Sequence, residues 1–186
     1  MSASPSRPPD VYFTFSGQID DHAVNRFFNN CATAISNNVQ RIHILIQSPG
    51  GEINCGVAIH NYLKGLPVEV IVYNVGLVAS AAVAVFLGGH VRKCALTAVF
   101  MIHKTVASIG IPVSPDFLRG RIESIELSDR NMETILRNHL PLMPVEKWSI
   151  HAQRDLGIDA GDAAAYKLIH EIGDWAVPPG GILVNI

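Results

Sequence analysis

An α/β fold built on a mostly parallel sheet is predicted by three observations. Apolar, β-branched segments alternate with segments of helical period; the turns between them carry glycine and proline; and the spacing leaves room for a crossover helix between successive strands. Val11-Tyr12-Phe13-Thr14-Phe15 reads as the first strand, ended by Ser16-Gly17. Ile19 to Ile35 places Val24, Phe27, Phe28, Cys31, Ala34 and Ile35 at helical spacing, with Asp20 and Asp21 suited to the positive end of its dipole. Ile42 to Gln47 is a second strand, which Ser48-Pro49-Gly50-Gly51 stops. Asn54 to Lys64 is a helix closed by Gly65. Val68 to Val75 is a third strand, broken by Gly76, and Leu77 to Gly89 is an Ala-rich buried helix. The apolar run Ala98 to Ile102 ends in His103.

Beyond His103 the pattern changes. Val106 to Val113 is a small-residue loop. Ser114-Pro115-Asp116 starts a long charged helix to about Asn138, stopped by Pro141 and Pro144. Val145 to His151 and Gly161 to Leu168 are short helices, Ile169 to Val177 an edge strand, and Pro178 to Gly181 a loop in a C-terminal tail from residue 178 to 186. The first ten residues, polar and rich in proline, read as a disordered lead-in to a single domain spanning 11–177.

Composition excludes several classes. The chain of 186 residues is 48% hydrophobic and only 16% charged, which suits a large core and surfaces buried by self-association. A net charge of −2 without a basic run argues against nucleic acid. No apolar stretch is long enough for a membrane span. Three widely spaced cysteines form neither a zinc pattern nor a closed disulfide set, pointing to a reducing, cytoplasmic location. No cofactor motif is present.

The chemistry concentrates between Val68 and His103. Ser80 stands where a strand passes into a helix, a place where serine commonly serves only as a cap. The amide of Ala81 points into the same space as its hydroxyl, and the helix end favours developing negative charge. Of eight histidines, His103 alone ends a buried strand at the sheet edge from which Ser80 emerges, so it is the candidate base. Ser48-Pro49-Gly50-Gly51 brings bare amides to the same edge. An acid to orient His103 stays open among Asp155, Asp159, Asp162 and Asp174. Lys104 follows His103, but neighbours on a strand face opposite ways, so a Ser–Lys pair is disfavoured.

Four blocks then resemble the proteolytic subunit of the Clp protease, a serine peptidase of the ClpP/crotonase fold. Ile44 to Ile53 is similar to the family's "INSPGG" strand and loop, and Gly76 to Ala82 to its "GxAAS" turn. Ala98 to His103 is similar to "MIHQP", and Arg154-Asp155 with Asp159 to Ile169 to "RD…SAEEAxxYGLID". The resemblance covers about Val11 to Gly173. It implies repeated β-β-α spiral units, a handle helix over about 115–140, and a Ser80–His103–Asp155 triad with Gly51 and Ala81 as oxyanion donors. It also implies extended or unfolded polypeptide as substrate, held along Gly50, Glu52, Ile53, Lys104 and Thr105 by strand addition, and a homo-oligomeric ring of six to fourteen copies. An AAA+ unfoldase is the implied partner. Three departures set against that partnership and point to a divergent, stand-alone peptidase: no axial-gate segment precedes Val11, His103 is followed by Lys104-Thr105-Val106, and the tail from Asp174 is unrelated. The alternatives are a crotonase-like acyl-CoA enzyme and a non-catalytic ring subunit.

Overall fold

The structure, a computed structural model, describes residues 10–106, 110 and 112–186. The lead-in, apart from Asp10, and residues 107–109 and 111 of the loop after His103 lie outside the described residues. The chain runs β1 (Asp10–Ile19), α1 (Asp21–Ser36), β2 (Arg41–Gly51), α2 (Ile53–Lys64), β3 (Glu69–Ala79), α3 (Ala81–Leu87), β4 (Val91–Cys94) and β5 (Val99–Ile102). There follow α4 (Pro115–His139), α5 (Val145–His151), β6 (Leu156–Asp159), α6 (Ala160–Ala165), β7 (Glu171–Ile172) and β8 (Ile182–Asn185).

Alternation sets the sheet's two faces. Phe13 and Phe15 of β1, Ile42, Ile44 and Ile46 of β2, and Val70 and Val72 of β3 point into one buried core. On the opposite face Tyr12 stacks on His43, and Trp175 packs edge-on against Tyr12 and Tyr73. The strands lie in the order β6-β5-β3-β2-β1-β8, with β4 and β7 on a branch from β3. Among the described residues every pairing is parallel except that of β5 with β6.

The branch sits at β3 and explains why Gly76 does not end the strand. Residues 71–74 pair with β4, whereas Leu77, Val78 and Ala79 pair with β5. Between the two, the register with β2 jumps from Ile46↔Asn74 to Ser48↔Val78, a bulge that absorbs Val75, Gly76 and Leu77. Two polar side chains hold this fork. Fully buried Asn74 accepts from the Gly76 amide (3.0 Å) and donates to the Val99 carbonyl (3.0 Å). Gln47 accepts from the Leu77 amide at 2.9 Å. Replacing Asn74 by alanine leaves the part-buried Gly76 amide and the Val99 carbonyl without this partner, so a loss of about 1–3 kcal/mol is expected in urea denaturation; an unchanged midpoint would place the fork's stability elsewhere.

Other elements also differ from the periodicity reading. β2 does not stop at Ser48 but bulges and continues to Gly51, pairing with Gln18 and Ile19 of a longer β1. The strand expected over Ile169–Val177 shrinks to Glu171–Ile172. Asp10, counted with the lead-in, pairs with Arg41 at the start of β1. The tail is not all loop: β8 adds to the edge of β1, with Ile186 N–H donating to Thr14 O at 2.9 Å.

The helices follow their local chemistry. Asp20 caps α1 by accepting from the Ala23 amide at 2.8 Å. All seven residues of α3 are buried, and burial of Val83, Val85, Phe86 and Leu87 contributes roughly 1.5–3 kcal/mol each. α4 is capped by Ser114, which accepts from the Phe117 amide. Its buried residues, Met132, Ile135 and Leu136, lie in its last third. The rest projects as a handle and exposes Phe117, Leu118, Ile122 and Leu127. Among the described residues no helix is long and apolar enough to cross a membrane.

Candidate active site

Ser80 lies between β3 and α3 with φ 55° and ψ −128°, a conformation that disfavours any residue with a Cβ. Its neighbours impose it. Ser80 N–H donates to Met101 O on β5 at 2.9 Å, while Ser80 O accepts from Val83 N in the first turn of α3. The hydroxyl makes no capping bond, so the ordinary structural use of serine at this position is not realised. The amide of Ala81, at the head of α3, has no carbonyl one turn earlier to bond.

The Ser48–Gly51 segment presses directly on this turn. Gly50 has φ 98°, and a methyl group there would fall 2.6 Å from Ser80 Cβ and 2.7 Å from Ala79 O. Gly51 has φ 151°, and a methyl group there would collide with the Ile19 carbonyl oxygen. Buried Ser48 steadies the loop by accepting from the Gly50 amide at 3.1 Å. These glycines are therefore fixed by crowding as well as by conformation.

His103 follows β5 and is half-buried. Its Nδ1 lies 2.8 Å from Lys104 O. A carbonyl only accepts, so Nδ1 carries the proton and neutral His103 keeps a lone pair on Nε2. The antiparallel register of β5 and β6 ends at Ile102↔Leu156; continued one step beyond its end, it would bring Asp155 opposite His103. Asp155 is exposed, and no hydrogen bond among the described residues ties it to His103. The Lys104 carbonyl occupies the position on Nδ1 that an orienting carboxylate would take.

The segment after His103 is gripped by α4. Lys104 pairs with Glu133 at 3.3 Å, and Thr105 donates from both its amide and its hydroxyl to Asp129. Lys104 is thus committed to the helix. A groove of about 310 Å³ runs between the two loops and α4, and it unites Gly51, Glu52, Ile53 and Thr105 with Arg121 and Ser124. Gly50 lies against Ser80 instead of lining the groove.

The thiols offer no competing nucleophile. Burial pushes Cys31 up to about 12 and Cys94 up to about 11. Cys55, one turn beyond the glycine loop, is raised to about 11 by burial and by its hydrogen bond to Asp21. Sequence reasoning missed Asn74 and Gln47, which position the strand carrying Ser80, and Asp129 and Glu133, which hold the segment after His103. Asn74 did leave a signal: it is polar in the core-facing register of Val70 and Val72. Asp129 and Glu133 left none, being acids on a charged helix.

Comparison with known proteins gives the family and the fold. The Clp protease family model matches residues 10–175, and the chain belongs to that family. It is 26% identical over 159 residues to an ATP-dependent Clp protease proteolytic subunit of Paracoccus denitrificans, covering 84% of this chain and 78% of that one. It is 27% identical over 165 residues to proteolytic subunit 2 of Corynebacterium glutamicum, covering 87% and 81%. A point mutant of ClpP1 from Listeria monocytogenes has the same fold, with a TM-score of 0.76 over 88% of this chain and 91% of that one, at 20% identity. The fold is thus ClpP-like, and the sequence is a divergent member.

Proposed function

We propose that the protein is a serine endopeptidase acting on extended polypeptide, with Ser80 as nucleophile and His103 as general base. The observation that carries this reading is the strained Ser80 turn. It holds an uncapped hydroxyl at the head of α3, is tied to the strand that delivers His103, and is overlaid by a glycine loop with no room for a side chain. In the first step Ser80 Oγ attacks a peptide carbonyl while His103 Nε2 takes its proton. The oxyanion accepts hydrogen bonds from the amides of Gly51 and Ala81. His103 returns the proton to the departing amine, leaving an acyl-enzyme that water hydrolyses by the reverse use of the same imidazole. The groove beside Glu52, Ile53 and Thr105 receives the substrate main chain. Asp155 completes the triad when the Nδ1 proton turns from Lys104 O to its carboxylate.

Relatives named as ATP-dependent proteolytic subunits support a further reading, in which copies of this chain form a ring served by an unfolding ATPase. The exposed apolar residues of α4 supply a contact between copies. The Nδ1 bond to Lys104 O favours a second reading, a ring subunit whose triad stays unassembled. Hydrolysis of a fluorogenic peptide separates the two. His103→Ala is expected to lower kcat/KM about 10³-fold or more, and Asp155→Asn about 10²–10⁴-fold. Wild-type protein without measurable turnover supports the second reading, and Asp155→Asn with unchanged turnover removes Asp155 from the triad.

A further inference from the structure

We propose that the protein binds a phosphate-sized oxyanion in a second cleft, between β4, the end of α4 and the α6–β7 turn. This cleft, of about 480 Å³, shares no lining residue with the groove beside Ser80. Its walls include Arg92, Asn138, His139, Lys167 and His170, and no acidic side chain. In a chain whose 16 Asp and Glu outnumber its 14 Lys and Arg, an arginine, a lysine and two histidines converging without a carboxylate mark a place built for negative charge.

Arg92 lies at the centre of this cluster. It is only 9% exposed. Its Nε donates to Leu168 O (2.7 Å), Nη1 to Gly89 O (3.3 Å) and Nη2 to Lys167 O (3.4 Å). Those carbonyls use three of its five N–H groups and none of them cancels its charge. Among the described residues it has no ion-pair partner, and a buried charge without one is costly. Burial lowers its pKa to about 10, which still leaves it cationic at neutral pH.

A purely structural role, clamping the 167–170 turn, explains Arg92's carbonyl bonds but not its company. Lys167 adopts φ 67°, a conformation unfavourable for lysine, and adds a second cation to the cleft. His170 Nδ1 accepts from the Arg92 amide at 3.0 Å, so neutral His170 carries its proton on Nε2 as a donor. His139 Nδ1 donates to Ile135 O at 2.9 Å. From α2, Lys64 adds its field, and together with Arg92 and His170 it opposes protonation of His139, whose pKa is lowered chiefly by burial. An oxyanion accepts from the remaining guanidinium N–H groups, His170 Nε2 and Lys167 Nζ, and neutralises the cluster.

Titration calorimetry with inorganic phosphate, at constant ionic strength in chloride, tests the proposal on the full chain. Saturable binding at one site per chain, in the millimolar range or tighter, is expected, with a matching rise in Tm. Lys167→Gly removes a cation and relieves the positive φ, so it should keep or raise the Tm without phosphate while weakening phosphate binding about tenfold or more. His170→Ala should weaken it as well. Absence of saturable binding to the wild type, or equal affinity in wild type and both variants, overturns the proposal.

Discussion

Ser80→Gly is expected to raise the thermal stability of the protein while reducing peptide hydrolysis about 10³-fold or more. Both effects have one origin. At φ 55° and ψ −128° the serine backbone is held in a region that costs roughly 1–3 kcal/mol for a residue with a Cβ. Glycine removes that cost, less about 0.5–1 kcal/mol for its extra freedom in the unfolded chain. A net gain of about 1 kcal/mol corresponds to a Tm higher by about 2–4 °C for a chain of this size. Ser80→Ala removes the same hydroxyl but keeps the Cβ, so it should lose activity without the gain. Calorimetric Tm values for the two variants distinguish a strained catalytic turn from an ordinary one: equal stability of Ser80→Gly and Ser80→Ala would show that the turn stores no strain.

Gly50→Ala should have the opposite effect on stability. Its methyl group would meet Ser80 Cβ and Ala79 O well inside contact distance, at a backbone φ of 98°. Crowding and conformation each cost on the order of 1–3 kcal/mol, giving a combined loss of about 2–6 kcal/mol. Gly51→Ala meets Ile19 O more closely still. Neither loss can be relieved by moving a flexible side chain end, because most of the atoms met are backbone. Gly157→Ala serves as the control: nothing lies within 4 Å of its added methyl group, and its change should stay within about 0.5 kcal/mol. Urea denaturation of the three variants checks the order. A Gly50→Ala protein as stable as Gly157→Ala would mean that the glycine loop does not rest on the Ser80 turn.

Much of this is legible in the sequence, for reasons that differ between residues. Alternating β-branched residues mark β1, β2 and β3, and the charged stretch opened by Ser114-Pro115 marks α4 almost to the residue. Short strands escape because four residues such as Val91–Cys94 carry too little pattern. β6 escapes because its pairing with β5 is a long-range, antiparallel event with no local signal. Gly76 and Ser48 look locally like strand ends, since glycine and proline usually punctuate. Here buried Asn74 and the bulge let β3 continue, and β1 lets β2 continue. Ser80 and His103 stand out as candidates by their places at element ends. Gly50, expected along the substrate, also lies against Ser80, a closeness that only the folded register reveals. The tautomer of His103 and the hold of Asp129 on Thr105 depend on side chains and carbonyls whose placement no local pattern encodes.

The central claim is that Ser80 is a nucleophile activated by His103. Intact-mass measurement after exposure to a fluorophosphonate, followed by peptide mapping, tests it most directly. One adduct per chain on Ser80 is predicted for the wild type, with none in Ser80→Ala and strongly slowed labelling in His103→Ala. An adduct on another residue, or labelling that persists in Ser80→Ala, would contradict the account.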